Sequence, residues 1–110
     1  MTLSELASKL SLKTVTGTLT ENGYDGVYAG DLLSRAMSHV DAGNLWITIM
    51  SNSNVIAVAS LTECAAVILA ESVELMPDAL SAAEENGILV LSSDMSVYEL
   101  CVKIGEFDHE

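Results

Sequence analysis

"NLWITIMSNSN", residues 44–54, lies in the longest uncharged part of the chain, Ala42 to Thr62, in a protein whose formal net charge is −12. A membrane span needs about 20 mostly apolar residues in one helix. Here Ser51, Asn52, Ser53 and Asn54 interrupt the tract, and small polar residues of this kind favour caps and turns over a helix interior. The tract therefore reads as a buried strand over 45–50, a polar turn, and a buried helix in "VIAVASLTEC". That order sets the pattern for the rest of the chain.

Downstream the pattern recurs. "AAVILA" reads as a strand over 65–70, followed by a loop carrying Glu71 and Glu74. Pro77 opens a helix that Gly87 closes, as proline early and glycine late predict. "ILVLS" gives a strand over 88–91, and "SSDMSVYELCVKIGEF" a last helix with Val97, Leu100, Cys101 and Ile104 inward. Upstream, Leu3, Leu6 and Leu10 have helical spacing behind Thr2 or Ser4 as N-cap. "LKTVTGTL" then gives a strand over about 12–17. "TENGYDGVYAG" reads as the longest loop. A helix over 31–39 follows, with Leu32, Leu33, Ala36, Met37 and Val40 as its apolar stripe and the Asp31 carboxylate capping its first turn.

Strands that alternate with helices and are apolar nearly throughout predict an α/β fold: a small three-layer arrangement, its mostly parallel sheet flanked by helices on both faces and joined by right-handed crossovers. A chain of 110 residues fits one domain with a real core. Half of the residues are apolar, which predicts that some apolar surface meets a second subunit.

Charge excludes several functions. Residues 41–110 hold twelve acids against Lys103 alone, while residues 1–40 hold four acids and three bases. Nucleic acid and acidic membrane surfaces need clustered Lys and Arg, so neither is expected as a partner. "MTLSELASKL" spaces its leucines among polar residues, unlike a secretory signal, and a cytoplasmic location is expected. Cys64 and Cys101 form no CxxC pair and read as buried free thiols. No histidine stands at ligand spacing from them, so no metal and no cofactor is expected.

In a parallel sheet the loops after the strands share one edge, where ligands of open α/β folds bind. Three loops belong there: Ser51, Asn52, Ser53 and Asn54; Glu71 to Met76; and Ser92, Ser93, Asp94 and Ser96. The first and third combine hydroxyl or amide side chains with free helix amides, which suits a small anion or a ribose and equally suits helix capping alone. No GxGxxG or GxxxxGK[ST] motif is present, and Glu71 and Glu74 oppose a polyphosphate. Catalytic residues are not identified. His39 reads as meeting a helix C-terminus, His109 lies in an acidic tail, and neither has a visible partner. Asp31, Asp94 and Glu99 form a carboxylate set only if their loops converge. Arg35, four residues after Asp31, reads as its intrahelical partner or as a grip for a carboxylate or phosphate. Tyr24 and Tyr28, among Gly23, Gly26 and Gly30, read as interface anchors.

From Tyr28 to Cys101 the chain resembles the DRTGG domain family, in "GDLLSRAM", "GNLWITI" and "ILVLSSDMS". The stretch nearest to the name-giving motif, "ENGYDG" at 21–26, has neither its arginine nor its paired glycines. "GNLWITI", a helix and "AAVIL" are more distantly similar to N-terminal domains of Mur ligases and of HPr kinase/phosphorylase. The resemblance implies a small three-layer α/β domain that is regulatory or dimerising, accompanying CBS domains elsewhere. The expectation is a non-catalytic module over 1–110 that forms a homodimer and acts through a partner protein such as an enzyme. The alternative is a small-molecule sensor for a nucleotide or metabolite.

Overall fold

The structure, a computed structural model, describes residues 1–108. Its elements in order are α1 (Leu3–Leu10), β1 (Lys13–Thr16), β2 (Val27–Ala29), α2 (Leu33–His39), β3 (Leu45–Thr48), α3 (Ser53–Thr62), β4 (Ala66–Leu69), α4 (Pro77–Asn86), β5 (Val90–Ser92) and α5 (Val97–Asp108). They form the expected α/β fold. One five-stranded sheet runs in the order β1-β5-β4-β3-β2, parallel from β2 to β5, with β1 antiparallel to β5 at one edge.

The central strands β3 and β4 are buried at every position, because each of their faces meets a helix layer. Leu45, Ile47, Ala66, Ile68 and Leu91 point to one face, where Leu6, Leu10, Leu100 and Ile104 of α1 and α5 close the core. Trp46, Val67, Leu69 and Val90 point to the other, against Ala36, Val55, Ala59, Ala79 and Ala83 of α2, α3 and α4. Alternation of side chains across each strand sorts one apolar run into two cores. All three parallel crossovers use the α2–α4 face and step the same way along the sheet, so all share one hand.

Local chemistry sets the helix ends. Thr2 and Glu5 form a capping box on α1: the Glu5 amide donates to Thr2 Oγ1 at 3.1 Å and the Thr2 amide to Glu5 Oε1 at 3.1 Å. These bonds hold the Glu5 carboxyl below its ordinary range. Ser96 and Glu99 build the same device at α5. Pro77 begins α4, and Gly87 ends it in the left-handed conformation at φ 64°, as the sequence predicted.

Four expectations need correction. The segment read as one loop over 20–30 contains β2, an edge strand whose register pairs Val27 with Leu45 and Ala29 with Ile47. It is only three residues long, with Val27 and Ala29 exposed and Tyr28 half-buried, which removes the apolar run that marks a strand. Asp31 does not cap α2. The helix begins at Leu33 with Leu32 at the N-cap and no side-chain capping bond, while the Asp31 carboxylate accepts from Thr48 Oγ1 at 2.7 Å and from the Ile49 amide at 3.0 Å. Because Asp31 precedes the helix, its spacing to Arg35 is not that of an intrahelical pair. Finally, the α2 stripe is narrower than its sequence suggests: Ala36 and Val40 are buried, but Leu32 and Met37 are 62% and 51% exposed. Strand boundaries elsewhere move by one or two residues.

Candidate functional site

Four loops leave the parallel strands at one edge. The two ends of that edge differ. After β2 and β3 the chain closes on itself. Asp31 ties Gly30's turn to the end of β3, the fully buried Thr48 hydroxyl donates to it, and the same hydroxyl accepts from the Met50 amide at 3.2 Å. Trp46 Nε1 donates to the Gly30 carbonyl at 3.1 Å. Asn52 is the N-cap of α3, its Oδ1 accepting from the Asn54 amide at 3.0 Å. The Ser51 carbonyl accepts from the Met76 amide at 2.9 Å. Asn52 thus serves as a cap, one of the two uses its residue type suggested.

The other end is open. A cleft of about 390 Å³ lies between β1, the end of β5 and the loop from β4 to α4. Lys13, Glu74 and Asp94 give it charge of both signs, Ser72 and Ser92 give hydroxyls, and Val15, Leu75 and Leu80 give an aliphatic wall. Its geometry follows from register. β1 runs antiparallel to β5 with Lys13 opposite Ser92, so a lysine at the start of one strand stands beside the last residue of another. Within the lining, Ser72 Oγ donates to Asp94 Oδ1 at 2.6 Å, and the Ser72 amide donates to the Ser93 carbonyl at 2.9 Å. Glu71 and Ser72 hold φ at 58° and 59°. Two consecutive left-handed residues that are not glycine store strain, a condition concentrated at ligand clamps and switch regions.

Of the residues singled out from sequence, Ser92 and Asp94 line this cleft. Ser93 Oγ accepts from the Met95 amide at 3.0 Å, and Ser96 Oγ from the Glu99 amide at 3.1 Å. Lys13, Thr14, Val15 and Leu80 were not anticipated. Glu71 to Met76 was placed on this edge from sequence, but nothing in a single strand's pattern reveals that β1 lies beyond β5.

His39, Asp31 and Asp94 do not meet. His39 Nδ1 lies 2.9 Å from the Arg35 carbonyl, and its ring stacks on Tyr28 at 6.0 Å; Asp31 bonds at the end of β3 and Asp94 to Ser72. His109 lies outside the described residues. Tyr24 packs on the α1–α5 core, and burial together with its 3.1 Å bond to Asp108 pushes its hydroxyl up to about 12. Burial likewise pushes the Cys64 thiol up to about 11, and raises that of Cys101; both are free. Among the described residues no three His, Cys, Asp or Glu side chains converge as metal ligands, and no helix is long and apolar enough to cross a membrane.

No family model matches the chain, and no curated protein matches it. Among solved structures it is similar to the crystal structure of the CBS and DRTGG domains of the regulatory region of Clostridium perfringens pyrophosphatase, complexed with the activator diadenosine tetraphosphate. The TM-score is 0.71 at 11% identity, over 92% of this chain and 44% of that one. The likeness is consistent with a DRTGG-like domain. At this identity it is the fold that is shared, and the chain spans less than half of that neighbour's length.

Proposed function

We propose that this chain, as one DRTGG-like unit over 1–110, is a non-catalytic regulatory module that senses a small molecule, a nucleotide or another metabolite. The observation that carries this reading is the cleft at the C-terminal edge, with Lys13, Ser72, Ser92 and Asp94 around it. Open α/β sheets bind ligands at this edge, and a pocket of this volume with an apolar wall and a few convergent polar groups suits a small ligand. The fold's occurrence in a regulatory region crystallised with a nucleotide activator supports the same reading. Its non-catalytic part rests on His39, Asp31 and Asp94 having separate partners.

A thermal-shift screen of adenine nucleotides, phosphates, organic acids and amino acids tests it. A binder present at a hundred times its dissociation constant adds about 2.7 kcal/mol of stability. The absence of any shift across the screen would overturn the sensing role.

Self-association and action through a partner protein form a second part of the proposal. Val27 on the edge strand β2, Leu32 just before α2 and Met37 on α2 are exposed apolar side chains, the kind that a homodimer or a partner enzyme covers. Light scattering at micromolar concentration is expected to give a dimer mass, and a strict monomer would remove the homodimer. A cytoplasmic location belongs to the same proposal, and the free Cys64 and Cys101 support it by suiting a reducing compartment.

A further inference from the structure

The cleft's charges narrow the class of molecule that fits it. We infer that its ligand is a small amphoteric amine–carboxylic acid, of the size and kind of an aliphatic α-amino acid, an inference that rests on the sensing role proposed above. Lys13 is the cation of the cleft, and Glu74 and Asp94 are its anions. A polyphosphate meets two carboxylates there for one ammonium, and Glu71 adds a third acid in the adjoining loop. A simple amine pairs with the acids but meets the Lys13 ammonium as a like charge, and a simple carboxylate pairs with Lys13 but meets Glu74 and Asp94 as like charges, so either matches only one of the cleft's two signs. An α-amino acid offers one group to each.

Asp94 is already partly satisfied, because Ser72 Oγ donates to its Oδ1 at 2.6 Å. That bond orients the carboxylate and turns Ser72 and Asp94 into one wall. Part of the lining is apolar: Val15 and Leu75 pack against the core on the α4 side of the sheet, and Leu80 of α4 lines the cleft with them. An aliphatic side chain has a surface to cover, which a bare zwitterion such as glycine does not. The volume of about 390 Å³ is near the small end of ligand pockets, roughly 300–1,000 Å³. It accommodates a molecule of amino-acid size.

The test uses the full chain and three matched probes: L-leucine, 4-methylpentanoate, which lacks the ammonium, and 3-methylbutylamine, which lacks the carboxylate. Amide chemical shifts are followed by NMR alongside the same titration with AMP. L-leucine is expected to move the amides of Lys13, Ser72, Ser92 and Asp94 saturably, with each single-function probe binding at least about tenfold more weakly. Lys13→Met and Glu74→Gln, both at exposed positions outside the cores, are each expected to weaken L-leucine about tenfold while leaving the fold's other shifts in place. Equal binding of the three probes, or unchanged affinity in both variants, would overturn the inference. If AMP moves these amides and L-leucine does not, the amphoteric ligand is wrong and the sensing role stands. If no probe and no member of the wider screen binds, both fall.

Discussion

At the end of β3, Asn52 caps α3 and the Ser51 carbonyl takes the Met76 amide, whereas at the ends of β4 and β5 Ser72, Ser92 and Asp94 stand around an open cleft. The residue types are alike: short hydroxyls, amides and carboxylates. What differs is the neighbour. The β3 end has β2 beside it, and the Asp31 carboxylate that follows β2 reaches across to Thr48 and Ile49. The β5 end has antiparallel β1 beside it, which brings the start of a strand, and with it Lys13, to the edge where the parallel strands finish. A reversed edge strand thus supplies a wall that a further parallel strand would not. Polar residues at a strand end become a cap or a site according to what the adjacent strand delivers.

The largest expected effect breaks the open half. Gly17 follows β1 at φ 81°, and a Cβ there would lie 2.7 Å from Leu89 Cα and 2.9 Å from the Ile88 carbonyl oxygen. Both are backbone atoms of the segment entering β5, so neither can rotate away. Gly17→Ala is expected to cost about 3 kcal/mol, combining left-handed strain with a backbone clash, and to loosen β1 from β5. Urea denaturation reads the loss, and an unchanged midpoint would show that β1 is not held at this point. Amide exchange in Thr14 and Thr16 is expected to rise more than in β3.

The closed half is expected to break at Asp31. Removing that carboxylate leaves the hydroxyl of Thr48, a residue with no solvent exposure, without its acceptor and the Ile49 amide without its partner. Asp31→Ala is expected to lower the unfolding free energy by about 1–3 kcal/mol, with Asp31→Asn recovering part of it, since an amide oxygen still accepts. Equal loss in the two variants would mean that the charge and not the acceptor matters. A smaller loss, about 1 kcal/mol, is expected for Asn52→Ala, which removes the cap of α3. Neither change should alter ligand binding in the cleft; if Asn52→Ala does, the two halves are coupled and the contrast between them is too sharp.

Much of this was readable in advance, for identifiable reasons. β3 and β4 are bounded apolar runs, and Pro77 and Gly87 mark their helix from both sides. The alternation of elements then dictates a parallel sheet between helices. β2 was hidden because an exposed edge strand three residues long has no pattern of its own. The use of Asp31 was hidden because a carboxylate just before a helix has two outlets, the helix amides or a neighbouring strand, and the choice is tertiary. Ser92 and Asp94 could be placed on the binding edge from strand order alone. Lys13 could not, since its position depends on β1 joining the sheet beyond β5 and in reverse.

The smallest expected effect is of opposite sign and separates stability from function. Glu71 is exposed and left-handed at φ 58°, beside Ser72 at 59°, whereas residues 49–54 contain no positive φ. Glycine takes this conformation without the penalty from Cβ, roughly 1–2 kcal/mol per residue, but loses more chain entropy on folding, roughly 0.5–1 kcal/mol. Glu71→Gly is therefore expected to stabilise by about 0.5 kcal/mol, a rise of about 2–4 °C in melting temperature for a domain of this size. Ser72→Gly should gain less, because it also removes the bond to Asp94. If the strain at Glu71 serves to hold the cleft open, the more stable variant binds its ligand more weakly. If affinity is unchanged while stability rises, the left-handed pair is only the shortest path from β4 toward α4, and the cleft owes its shape to β1.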